Sequence, residues 1–191
     1  CCEKSFLHPP DGFTEIPLIR LRDFMYFGRD DQMPQLLEMQ KDNPRLQFRT
    51  AEQVHERVPV LSAEYLEGAM WDRMGGDLDV DAMLQGFLRL FRRHGGLLMN
   101  DSKVMALKQS GGQWVVDTGT RQYTAPIVIN STGGWADRIA TMAGLENLGI
   151  QPLLRSAVLI DPPPGMSVDD WPMMIDADED FYFKPDAGQI M

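Results

Sequence analysis

Several things are scarce in this chain, and each scarcity excludes something. Its 191 residues hold two cysteines, Cys1 and Cys2, side by side. Neighbouring cysteines cannot staple distant segments, so a disulfide scaffold and a thiolate zinc site are excluded and a reducing, cytoplasmic compartment is expected. Positive charge is scarce too: 18 Lys and Arg stand against 28 Asp and Glu, a net charge of −10. Nucleic acids and anionic membrane surfaces both demand clustered cations, so neither is an expected partner. No apolar run approaches the ~20 residues that cross a bilayer, and nothing at the start reads as a signal peptide. Gly-x-Gly does not occur. The glycine pairs Gly75-Gly76, Gly95-Gly96, Gly111-Gly112 and Gly133-Gly134 all read as turns, so the dinucleotide fingerprint is not within these residues.

Hydrophobic residues make up 43%, which is enough for a packed core. Phe24-Met25-Tyr26-Phe27-Gly28 reads as a strand. Pro34 and the apolar residues after it predict a helix over about 32–42. Thr50 and Gln53 have the spacing of a capping box, so a second short helix starts there and Pro59 stops it.

The clearest helical signal lies within 71–96. Val80, Met83, Leu84, Phe87, Leu88 and Phe91 repeat at i, i+3, i+4, i+7, i+8 and i+11, one apolar face over three turns. Asp77, Asp79 and Asp81 are placed at the positive end of the helix dipole, and Arg89, Arg92, Arg93 and His94 at the negative end, with Gly95 as the stop. The acids do not follow the calcium-loop pattern, which places acids before its glycine and a bidentate Glu after it.

From 97 to 130 the period changes to two. Short strands are expected at 97–99, 104–107, 114–116 and 122–124, turned at Gly111-Gly112 and Gly119. Ile127-Val128-Ile129-Asn130 reads as a buried strand, followed by a turn at Ser131-Thr132-Gly133-Gly134 and a helix from Trp135 that Gly144 closes. This stretch is either an ordinary connection or a cradle for a phosphate. A longer strand is expected at 152–160, and two more near 173–175 and 181–184. The acidic run 176–180 is expected to be a solvated face. Tyr182 and Lys184 would share one face of their strand, where a phenol and an ammonium could bind a carboxylate; the alternative is a half-buried edge strand with a snorkelling lysine.

Taken together, Gly75-Gly76-Asp77-Leu78-Asp79-Val80-Asp81 opening a long helix, His94-Gly95-Gly96, Asp101-Ser102-Lys103-Val104, Val128 to Ala136, Gln151-Pro152-Leu153-Leu154-Arg155 and Asp180 to Asp186 carry a family likeness. In order and spacing the chain resembles the D-amino-acid oxidase superfamily of FAD-dependent oxidoreductases, covering the middle of that family's length. The resemblance implies an α+β (α/β) fold: part of a Rossmann-like FAD-binding domain with an antiparallel β-meander, joined to a mixed or antiparallel-sheet substrate domain with flanking helices. Residues 1–70 and 151–191 would then belong to the substrate domain and 71–150 to the FAD-binding domain. Val104, Thr132, Gly133 and Trp135 would lie at the cofactor; Tyr182, Lys184 and, more weakly, Arg155 would bind substrate.

The implied reaction is oxidation of the C–N bond of an amino acid or secondary amine, a small molecule, with hydride passing to FAD. The missing fingerprint implies that the chain alone retains little FAD and does not turn over. The chain opens without Met and stops as a hairpin's return strand begins, so a piece of a longer protein is expected, with exposed apolar surface that favours self-association into homo-oligomers. Two other readings stand beside this one. One is an interaction module that kept the fold and lost the cofactor. The other is an FAD-dependent dehydrogenase of a 2-hydroxy acid or polyol phosphate, which needs basic phosphate ligands and sits poorly with the acidic segment 161–186.

Overall fold

A computed structural model describes residues 3–191; Cys1 and Cys2, on which the compartment expectation rests, lie outside the described residues. In chain order the first elements are α1 (Glu3–Leu7), β1 (Ile19–Leu21), β2 (Phe24–Gly28), α2 (Met33–Asp42), β3 (Gln47–Thr50) and α3 (Ala51–Arg57). Then come β4 (Gly68–Asp72), β5 (Gly76–Leu78), α4 (Val80–Arg93), β6 (Ala106–Ser110), β7 (Gln113–Asp117), β8 (Gln122–Ala125) and α5 (Ala136–Met142). The last four are β9 (Met173–Asp176), β10 (Tyr182–Phe183), β11 (Pro185–Asp186) and β12 (Gln189–Ile190). The described residues divide into two compact units, one built from 3–94 with 157–191 and the other from 95–156.

The first unit is organised by a five-stranded mixed sheet in the order β10-β9-β2-β4-β3, in which β2 and β9 run parallel and the other neighbours antiparallel. The register sets Met25 beside Trp71 and Met174, and Phe27 beside Ala69, so these residues share a face. That face packs against Val54 of α3, Val58 and Leu61 in the larger core cluster. The alternate residues Tyr26 and Met70 meet Leu36 of α2 and Leu46 on the opposite side. Period-two alternation with apolar residues on both faces is what a sheet covered by helices on both sides requires. The predicted strand at 24–28 and helix over 33–42 are present. So is the capping box: Thr50 Oγ1 accepts from the Gln53 N–H at 3.4 Å while Gln53 Oε1 accepts from the Thr50 N–H at 3.1 Å.

The second unit is a three-stranded antiparallel meander, β6-β7-β8, with α5 against β6. Gly111 and Gly112 have φ of +60° and +77°, the left-handed pair a two-residue hairpin turn demands. An apolar pocket of about 200 Å³ separates α5 from the meander, lined by Leu107, Trp114, Val128, Ile139 and Leu148 among others. The Asp137 carboxylate accepts the N–H groups of Leu148 (2.8 Å), Gly149 (2.9 Å) and Ile150 (2.9 Å), tying the following loop to the helix.

Several expectations need correction. Residues 97–99, 127–130 and 152–159 form no strand, and Ile129 and Leu154 are 84% and 95% exposed. A strand exists only when another strand pairs with it, and among the described residues nothing pairs with these. The helix at 80–93 is present, but the residues expected to be its buried face are largely open: Val80, Leu84, Phe87 and Phe91 are all exposed. Its buried contact is instead made at Gly86, where the Phe13 ring lies so close that no Cβ would fit, and Phe13 meets the edge of Phe87 at 5.0 Å between ring centroids. Asp77 is not a helix-dipole acid; it lies in β5, and the N-cap is Asp79, whose Oδ1 accepts from the Ala82 N–H at 2.8 Å. Nor is the acidic run 176–180 a solvated face throughout, because Asp176 is fully buried.

Candidate functional site

In the first unit, β5 pairs with β1 so that Asp77 stands opposite Arg20. The next residue to bring charge is Arg22, just past the end of β1. Its Nε lies 2.5 Å from Asp77 Oδ2, while Lys184 Nζ approaches Asp77 Oδ1 at 2.9 Å. Arg22 also donates through Nη1 to the carbonyl of Trp171 at 2.6 Å, which fixes the guanidinium from the other side. The arginine side chain is 8% exposed, so this is a largely buried ion pair with a second cation attached. Burial of Asp77 works to raise its pKa, but the hydrogen bonds and charges of Arg22 and Lys184 outweigh it and hold the carboxyl below the usual carboxylate range. Two cations thus share one anion. The three residues open onto a pocket of about 550 Å³ that Arg20, Asp79 and Asp186 also line, so three cations and three carboxylates balance around it.

Lys184 is therefore in a pocket and in an ion pair. Tyr182, in β10, is half exposed and is not among the residues lining that pocket. Arg155 belongs to the second unit and is exposed in an irregular segment. The structure thus groups Lys184 with Arg22 and Asp77 rather than with Tyr182. Neither Arg22 nor the role of Asp77 was legible beforehand, since they are separated from each other by 55 residues and Asp77 from Lys184 by 107.

Toward the other end of β2 and β9 lies a second polar network, centred on the buried Asp176. Tyr65 OH accepts from Arg29 Nη1 at 2.7 Å and donates to Asp176 Oδ1 at 2.8 Å, and Gln32 Nε2 donates to both Asp176 (3.3 Å) and Asp178 (2.7 Å). Burial first, and then the bond to Asp176, raises the Tyr65 phenol above its ordinary pKa. The network fixes the loop from β9 to β10 beneath the aromatic cluster of Phe27, Tyr65 and Phe181.

The second unit holds the four residues expected at a cofactor. Val104 precedes β6, and neither its N–H nor its C=O is hydrogen-bonded within the described residues. Thr132 Oγ1 donates to Asn130 Oδ1 at 2.8 Å, and Asn130 Nδ2 donates to the Ala136 carbonyl at 2.9 Å, so the turn is pinned by its own side chains. Gly133 has φ of +56° and open space where a Cβ would stand. The N–H groups of Gly133 and Gly134 find no acceptor among the described residues, and Trp135 is 70% exposed. Thr132, Gly133 and Trp135 are thus adjacent on one open turn, whereas Val104 lies at the entry to the meander.

A family model described as FAD dependent oxidoreductase matches residues 12–191. Among solved structures, dithionite-reduced L-alpha-glycerophosphate oxidase from Mycoplasma pneumoniae, with FAD bound, is similar at a TM-score of 0.73 and 13% identity, over 98% of this chain and 52% of that one. Glycine oxidase from Geobacillus kaustophilus follows at 0.69 and 17% identity, over 91% and 47%. L-proline dehydrogenase from P. horikoshii stands at 0.65 and 19% identity, over 90% and 48%. The chain spans about half the length of each of these structures.

Proposed function

The chain belongs to the family of FAD-dependent oxidoreductases, and from that premise we propose that it is the central part of an enzyme oxidising the C–N bond of an amino acid or secondary amine. The observation that carries this reading is the family match over nearly the whole chain, on a fold shared with a glycine oxidase and a proline dehydrogenase. FAD, when bound, would accept the hydride from the substrate carbon. The chain's own contribution is to bind and to orient.

In the second unit the free backbone groups of Val104 suit the edge of an adenine, and the free amides of Gly133 and Gly134 suit a pyrophosphate. Thr132 and Trp135 would complete that wall. In the first unit the Arg22 guanidinium and the Lys184 ammonium, which line one pocket together, suit a substrate carboxylate as charge-assisted donors. We retain Lys184 as a substrate-binding residue on that ground, add Arg22, and keep Tyr182 and Arg155 as outer candidates. Residues 95–156 would belong to the cofactor side and the rest to the substrate side.

The exposed apolar stripe of α4 and the segments at 127–130 and 152–159, unpaired among the described residues, support a further portion of protein packing there; the missing Gly-x-Gly fingerprint supports this chain being inactive alone, and the adjacent Cys1 and Cys2 support a reducing, cytoplasmic setting. A second reading, oxidation of a polyol phosphate, draws on the likeness to the glycerophosphate oxidase. The test is to express the complete coding region, load it with FAD, and follow flavin bleaching with glycine, sarcosine, L-proline, D-amino acids and glycerol phosphate. Bleaching by an amine or amino acid, with formation of the corresponding imine or carbonyl product, supports the first reading. Bleaching by glycerol phosphate alone overturns it in favour of the second.

A further inference from the structure

A different pocket, of about 580 Å³, opens in the first unit where β3 and the end of β4 meet α3. Its lining includes Arg49, Arg57 and Arg73 with Gln53, Trp71 and Asp23. The sheet register explains the grouping: Gln47 stands opposite Trp71 and Arg49 opposite Ala69, so Arg49 projects on the same face as the indole. Arg49 Cζ lies 4.2 Å from the centre of the Trp71 ring and Arg73 Cζ 5.4 Å from it, so one indole holds two guanidinium groups. Stacking uses the face of a guanidinium and leaves its in-plane N–H donors for an acceptor.

Few of those donors are taken by protein. Arg49 donates to the Phe48 carbonyl at 3.0 Å and to Gln47 Oε1 at 2.9 Å, and Arg57 donates to the Asp170 carbonyl at 2.9 Å. Arg73 makes no hydrogen bond, and no carboxylate lies within 4.0 Å of any of the three guanidinium groups, among the described residues. The Trp71 indole N–H beside them is buried without an acceptor among those residues. Three guanidinium groups with no carboxylate partner, gathered at one pocket, give it a local positive potential in a chain whose net charge is −10, and that potential attracts an anion.

We propose that this pocket binds a small, multiply charged oxyanion, phosphate-bearing or polycarboxylate, held by the forked donors of Arg57 and Arg73 with Arg49 stacked behind. Asp23 is the single carboxylate among the lining residues, so the lining keeps two positive charges in excess and favours a ligand with more than one negative charge. The site does not use the Lys184 pocket or the glycine turn at 133, and stands whatever the substrate of the oxidoreductase proves to be.

The experiment is isothermal titration, with tryptophan fluorescence in parallel, of the whole chain with inorganic phosphate, citrate and chloride at matched ionic strength, which separates site binding from screening. Saturable binding of phosphate or citrate, and not of chloride, is expected, and which of the two binds assigns the ligand class. Arg73→Met, whose side chain is exposed and whose loss leaves the core intact, weakens binding about tenfold or more, as does Arg57→Met. Arg73→Lys, which keeps the charge and loses the fork, falls between. Arg45→Met, outside the pocket, binds as the parent does. A response that does not saturate, that chloride reproduces, or that survives Arg73→Met in a protein with unchanged circular dichroism overturns the proposal.

Discussion

Arg22 and Lys184 close on a single carboxylate, and the consequences of that arrangement are local. Replacing Asp77 by Asn keeps the shape and removes the charge, leaving the nearly buried Arg22 guanidinium with no anion. The expected loss is roughly 2–3 kcal/mol, read as a lower urea midpoint, because the hydrogen bonds lost are charge-assisted ones. The pH dependence follows from the direction of the shift. Asp77 is held below its unfolded value of about 3.9, so the stability it contributes is complete above that value and disappears as pH falls through the lower, folded one. The parent protein should therefore lose stability on acidification below about pH 4 more steeply than Asp77→Asn does. Equal slopes for the two proteins would show that the cluster does not carry the charge balance described. None of this could be seen along the chain. Asp77 beside Asp79 and Asp81, ahead of an amphipathic run, has the pattern of a helix start, and only Asp79 takes the capping role.

At the scale of elements, local rules held where the interactions are local. The capping box at Thr50 and Gln53 closes within four residues, and the two-glycine turn at 111–112 closes within two; both were readable because both partners are neighbours in sequence. Thr50→Ala should cost about 1 kcal/mol, measured as a fall in the midpoint of thermal or urea unfolding, while the circular dichroism of the folded state stays unchanged. A Thr50→Ala protein as stable as the parent would mean that α3 is held by Val54 and Val58 packing alone. The strands at 127–130 and 152–160 failed for the complementary reason. Their apolar and β-branched residues express a readiness to pair, but pairing needs a second strand, and a propensity has no way of saying whether that strand is at hand. The helix at 80–93 carries the same lesson on its side: its periodicity located the apolar face, yet that face is mostly exposed, and the contact that is made runs through Gly86 and Phe13.

For the whole molecule, the open segment 145–159 follows α5 without regular structure and carries Arg155 exposed in its middle. Limited trypsin digestion of the purified chain should cut first at Arg155, giving two fragments by mass spectrometry, and the site should be protected when the complete coding region is expressed. First cleavage inside β2, β4 or α3 would contradict the packing of the first unit. The two units also reorder what the chain suggests: the first is assembled from residues before 95 and after 156, brought together chiefly by the parallel pairing of β2 with β9. None of the chain's helices, among the described residues, is long and apolar enough to cross a membrane.

What the sequence by itself determined is whatever depends on near neighbours and on composition. That covers the positions of α2, α3, α4 and the meander, the glycine turns, the mixed α and β character, and the family to which the order of motifs belongs. What only the tertiary structure decided is which distant residues meet. Arg22, Asp77 and Lys184 form one charged cluster, Asp176 is buried under Tyr65 and Gln32, and three arginines gather around Trp71. The physical reason is that burial and charge pairing are properties of position in space. An aspartate in an acidic run is solvated by default, and it becomes a buried acceptor only when strands far apart in sequence set a phenol and an amide against it.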